Sequence, residues 1–162
     1  MAAQGSQHWR THLDLFTWTS DFARIPYENF KAALDHVLKQ KDWIIEGWAY
    51  HEVLKERLLK ADVIIYLDYS LDVCLSSAVT RNRQYQNKPY PFDPFNGNRN
   101  VKEQQLIMGI HYVHEKLRPE AISWLKDLQN TKTIFTYTSR EELNNDLDEF
   151  KAALYAKRFP QQ

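Results

Sequence analysis

Apolar positions along the chain fall into short runs and helical stripes that alternate. "HWRTHLDLF" reads as a first strand ending near Asp14. "PYENFKAALDHVLKQ" follows as a helix, with Pro26 at its opening and Phe30, Ala33, Leu34, Val37 and Leu38 on one face. "DWIIEGW" is a short apolar strand that stops at Glu46 and Gly47, and a helix from about His51 to Lys60 leads away from it. The run Val63, Ile64, Ile65, Tyr66, Leu67 has no polar alternation. That predicts a strand covered on both faces, as in a parallel sheet flanked by helices. "LDVCLSSAVTRN" reads as a helix, and residues 101–129 as a helical stretch broken around Pro119. "TKTIFTYTS" is a strand, and "SREELNNDLDEFKAALYAK" a helix whose Ser139 and Glu142 match a capping box. "RQYQNKPYPFDPFNGNRN", rich in proline, asparagine and aromatics, is irregular. Strands alternating with helices predict an α/β fold with right-handed crossovers. The expected organisation is a single α/β domain over residues 8–158, with a flexible start at 1–7 and an irregular insertion at about 81–102.

Composition narrows the class. With 162 residues and 43% hydrophobic content, the chain can bury one core. Lys plus Arg (21) and Asp plus Glu (21) cancel, so nothing global favours nucleic acid or an anionic membrane. Local charge is less even. Residues 81–102 carry five bases against one acid, and Glu141 to Glu149 five acids and no base. A single cysteine, Cys74, excludes an internal disulfide. No stretch approaches the roughly 18 to 20 apolar residues of a membrane span, and "MAAQGSQHWR" lacks a signal-peptide core. The expected location is cytoplasmic, with no membrane partner.

Candidate chemistry centres on Asp68, at the turn from the apolar strand into the next helix. In a parallel sheet that edge binds ligands. Asp68 would then lie beside the strand ends carrying Asp14 and Glu46, placing three carboxyl groups around one cleft suited to a cation or to a hydroxyl- or amino-bearing acceptor. Alternatively, Asp68 accepts hydrogen bonds from its own turn while Asp72 complements the helix dipole. His111 and His114 are three apart on a helix without a second pair, so no metal site is predicted. Cys74 sits among apolar residues and reads as a structural thiol. Tyr85, Tyr90, Phe92 and Phe95, interleaved with Arg83 and Lys88, fit either base stacking or a loop packing its own aromatics. Trp18, Trp43, Trp48 and Trp124 read as core anchors.

The order of "HLDLFTW", a helix, "DWIIEGW", "ADVIIYLDYSLDVCLSSAVTRNR" and "TIFTYTSREEL" resembles the adenylate-kinase-like P-loop proteins, especially the bacterial topology-modulation proteins, over nearly all of residues 8–150. The resemblance implies a three-layer parallel sheet flanked by helices and a nucleotide or small-molecule phosphotransferase using ATP and Mg2+. It further implies that Asp14, Glu46 and Gly47 face the acceptor, with Asp68 ending the strand before the lid helix. Arg81 and Arg83 would be lid residues acting on the phosphates, and Thr138, Ser139 and Arg140 would neighbour the adenine.

Two departures stand out. The family's D-G-N-Y becomes Glu46, Gly47, Trp48, Ala49, Tyr50. More seriously, the family's opening strand, G-x-x-x-x-G-K-[ST] loop and helix have no counterpart. The only glycines are Gly5, Gly47, Gly97 and Gly109, so the glycine spacing of a Walker A loop occurs nowhere in the sequence. The missing strand would be the central one, and its loss would expose two strand edges and an apolar slot. Three explanations are open: a start upstream of Met1, a shortened paralogue with a rearranged sheet, or another chain filling the slot. Function accordingly has two readings, a phosphotransferase represented without its phosphate loop, or a non-catalytic binding or regulatory domain on the same scaffold.

Overall fold

The computed structural model describes residues 9–19, 23–85, 102–148 and 151. Residues 1–7, the body of the lid-like segment with Lys88, Tyr90, Phe92 and Phe95, and residues 152–158 lie outside them. The chain is mixed helix and strand and contains two small parallel sheets. It divides into two compact units, one made chiefly of Met1–Arg57, the other of Leu58–Gln84 with Val101–Gln162.

The first unit contains β1 (Trp9–His12), α1 (Asp14–Thr17), α2 (Tyr27–Leu38) and β2 (Trp43–Glu46), then a 3-10 turn at His51–Val53 running into α3 (Leu54–Lys60), of which the residues up to Arg57 belong to this unit. β1 and β2 are parallel, with Trp9 opposite Trp43 and His12 opposite Glu46. A parallel pair needs a long connection, which the amphipathic α2 supplies. α2 buries Phe30, Leu34 and Val37, the stripe read from its periodicity. Phe30 and Leu34 join Leu13, Tyr50 and Val53 in one core, against which Leu38, Ile45 and Ala49 pack. The first strand is shorter than expected. Leu13 turns into the right-handed helical region and is 1% exposed, and Asp14 opens α1 instead of closing β1. Burying Leu13 outweighs extending a strand, and the Thr17 hydroxyl and Phe16 amide both donate to the Leu13 carbonyl.

The second unit contains β3 (Val63–Leu67), α4 (Leu71–Gln84), α5 (Glu103–Tyr112), α6 (Arg118–Leu128), β4 (Thr133–Tyr137) and α7 (Arg140–Asn145). β3 and β4 are parallel, Val63 opposite Thr133 and Leu67 opposite Tyr137. Ile64, Ala78, Ala121, Leu125 and Tyr137 are buried here. Two expectations are corrected. β3 is not covered on both faces: Ile64 is 6% exposed, but Ile65 and Leu67 on the alternate face are 41% and 49% exposed. Nor does the helix break at Pro119. A π turn at Val113–Leu117 joins α5 to α6, and the Arg118 amide bonds the Val113 carbonyl five residues back. The wider turn opens the ladder where Pro119 has no N–H and its ring would meet the preceding carbonyls.

Candidate functional site

The C-terminal ends of the parallel strands carry the charged residues, and each unit disposes of its charge differently. At the end of β2 in the first unit, the Leu13 amide donates to the Glu46 carbonyl at 3.0 Å, extending the ladder by one bond. The parallel register also puts His12 against Glu46, and their side chains bond through Nδ1 and Oε1. The Glu46 side chain is 54% exposed, so this pair can meet a hydroxyl or amino group from solvent. Asp14 heads α1 two residues beyond the end of β1.

After Glu46 the backbone passes through Gly47 at φ 100° and Ala49 at φ 56°. Glycine adopts that region without strain, whereas alanine does so only because its surroundings impose it. What holds this turn is Arg57 of α3, whose Nη1 donates to the Gly47 carbonyl at 2.8 Å and Nη2 to the Trp48 carbonyl at 3.0 Å. Burial pushes the Arg57 guanidinium down to about 10, still a cation at neutral pH. The Trp48 and His51 rings stack above this turn, 6.0 Å apart and 6° from parallel.

In the second unit the Asp68 amide donates to the Tyr137 carbonyl at 2.8 Å, closing the end of the β3–β4 ladder. Its carboxylate is not accepting from its own turn. Arg118, the first residue of α6, grips it with two parallel bonds, Nε to Oδ1 at 2.6 Å and Nη2 to Oδ2 at 2.8 Å. The hydrogen bond to Asp68 raises Arg118 above its ordinary pKa. Burial, with the Asp68 charge second, pushes Tyr66 up to about 12 and raises Cys74 as well, so that thiol is held protonated, as a structural one should be. Asp72 is exposed in the first turn of α4, where it complements the helix dipole. Asp14 and Glu46 belong to the first unit and Asp68 to the second.

Of the two arginines expected in a lid, Arg81 is exposed, and Arg83 makes a bidentate pair with Glu103 at 2.8 and 2.7 Å. That pair ties the last turn of α4 to the first turn of α5 across the intervening segment, lowering Glu103 and raising Arg83. The capping box at the start of α7 is present: the Glu142 amide donates to Ser139 Oγ at 3.1 Å, and the Ser139 amide donates to Glu142 Oε2 at 3.2 Å. Thr138 joins it through its amide and hydroxyl, both bonded to the Glu142 carboxylate. Arg140 is exposed beside them. His111 bonds Glu115 at 3.1 Å. Among the described residues, no three His, Cys, Asp or Glu side chains are grouped to hold a metal ion, and no helix is long and apolar enough to cross a membrane. Trp18, Trp43, Trp48 and Trp124 are all half-buried.

Arg57 and Arg118 were not among the residues singled out from sequence. Arg57 had a signal: Tyr50, Val53, Arg57 and Ala61 are spaced as one buried helical stripe, and an arginine within such a stripe marks an interior cation. Arg118 had none, since its partner lies 50 residues away. Compared with known proteins, the chain matches no family model, no curated protein and no solved structure.

Proposed function

We propose that this chain carries the acceptor, lid and base-side parts of an adenylate-kinase-like phosphotransferase for a nucleotide or small molecule. In this reading each of the two parallel sheets is a fragment of a three-layer P-loop fold, whose first strand is not supplied by the described residues. The observation that carries the proposal is the strand pairing. Removing the middle strand from such a sheet leaves two parallel pairs, and the chain has β1 with β2 and β3 with β4. The apolar side chains of Ile44, Ile65 and Leu67, 51%, 41% and 49% exposed, are what loss of the helix that follows that strand in the family would uncover. A strand from another segment or another chain would pair with the free edges, and the lone cysteine suits action in the cytoplasm.

The residues do not fit ATP with Mg2+ as they stand. No Walker A spacing exists in the sequence, so amides, lysine and hydroxyl for the transferred phosphate are lacking. We derive no phosphoryl-transfer step. A second reading, a non-catalytic binding or regulatory domain, is favoured by the engagement of Asp68 with Arg118 and of Arg83 with Glu103, which leaves these residues structural work.

NMR titration tests the base side separately from the phosphate side. Adenosine should shift the amides of Thr138, Ser139 and Arg140 with a Kd on the order of 1 mM, and Mg-ATP should bind the isolated chain no more than a few-fold tighter. Unmoved amides at 138–140 would remove the nucleotide assignment. Micromolar, magnesium-dependent ATP binding would overturn the claim that a phosphate site is lacking.

A further inference from the structure

Among the described residues of the first unit, the guanidinium of Arg57 is the least compensated group. The residue is 7% exposed, yet its bonds go to two neutral carbonyls, and Nε is buried with no acceptor. Among the described residues no carboxylate reaches it. Of the acids near this turn in sequence, Glu46 is taken by His12 and Glu56 by Lys31 at 3.3 Å, while Glu52 is exposed. Arginine rarely enters an interior without a carboxylate or phosphate partner. A second donor in the same turn is in the same condition, for Trp48 Nε1 is buried and has no acceptor. The guanidinium lies against Trp48's own backbone, so both orphan N–H groups belong to one turn, held in place by the positive-φ backbone at Gly47 and Ala49 and by the stacking of Trp48 on His51. The turn stands at the C-terminal end of a parallel strand, the edge where ligands bind in α/β sheets. A water molecule could accept from the two N–H groups, but it carries no charge and would leave the buried cation uncompensated.

We propose that the turn from Gly47 to Arg57 binds an oxyanion, the carboxylate or phosphate group of a small ligand, which accepts from Arg57 Nε and Trp48 Nε1 and neutralises the buried guanidinium. The planar fork of arginine suits an oxyanion, and the indole N–H, which can only donate, adds direction. The site uses neither residues 138–140 nor a phosphate loop, so it stands or falls apart from the proposed function.

The test is side-chain NMR on the full 15N-labelled chain, following the Trp48 indole N–H and the Arg57 Nε–H. Sodium phosphate and sodium acetate are titrated separately, with ionic strength held constant by chloride. Both resonances should move together and saturate, and Trp48→Phe, which removes one donor and keeps the ring, should weaken binding about tenfold, as expected for a hydrogen bond to a charged group. A response to phosphate alone assigns a phosphate ester, and a response to acetate alone a carboxylate. The proposal is overturned if neither resonance moves with either anion up to roughly 50 mM. It is equally overturned if Trp48→Phe binds as tightly as the unmodified chain.

Discussion

The ends of β2 and β3 occupy equivalent positions, each a parallel strand turning into a helix, yet they treat charge in opposite ways. At the end of β3 an acid on the turn meets a base from a distant helix, and both oxygens of Asp68 are satisfied by Arg118. At the end of β2 the base lies under the turn and meets only carbonyls, while the local acid, Glu46, faces outward to His12. A closed ion pair has little left to offer a ligand. A buried cation with an idle donor still has a hydrogen bond to offer. The contrast moves attention from Asp68, the more conspicuous residue in the sequence, to Arg57.

The largest expected effect separates the two ends directly. Arg118→Met should strand a carboxylate whose side chain is only 16% exposed, costing about 3 kcal/mol in denaturant unfolding. Asp68→Asn keeps an acceptor for Arg118 and should cost less, about 1–2 kcal/mol. In the double substitution the losses should fall short of their sum, and strict additivity would mean that the pair is not coupled.

Arg57→Met sharpens the comparison from the other side. It removes two hydrogen bonds but also relieves an unpaired buried charge, so despite deeper burial it should cost only about 1 kcal/mol. A loss matching that of Arg118→Met would show that the carbonyl clamp dominates, and the contrast would fail.

The smallest effect concerns the end of β4, where charge is met by backbone and hydroxyl groups. The Thr138 amide, then its hydroxyl, hold the Glu142 carboxyl below its ordinary 4.5. A depressed carboxyl contributes stability that is present in full above the ordinary value and lost as pH falls through the folded one. Glu142→Gln retains an acceptor for the cap. The melting temperature of the unmodified chain should therefore exceed that of the variant by a constant margin above pH 4.5, and the margin should shrink below it. A margin that does not change with pH would exclude the carboxylate as its source.

Much of the local structure was legible because it depends on neighbours in sequence. The stripe of Phe30, Leu34 and Val37 gave α2, the β-branched run gave β3, and Ser139 with Glu142 gave the cap of α7, each from an interaction spanning a few residues. The π turn before Pro119 was legible only as a disturbance: proline announces that the α ladder cannot continue unchanged, but not that the chain widens instead of breaking. Ile65 and Leu67 misled for a related reason. An apolar run states that a strand is suited to cover on both faces, whereas the cover itself must come from elsewhere.

By itself, then, the sequence determined the succession of strands and helices, the capping box and the absence of a Walker A loop. Only the tertiary structure decided what the charges do. The pairing of β1 with β2 and β3 with β4, the capture of Asp68 by Arg118 and the orphan donors of Arg57 and Trp48 all depend on which groups meet once the chain folds. Helical and strand periodicities are short-range, carried by residues within one turn or one pleat of each other. A charge is satisfied or stranded by whatever lies within about 3 Å of it in space, and sequence separation says nothing of that distance.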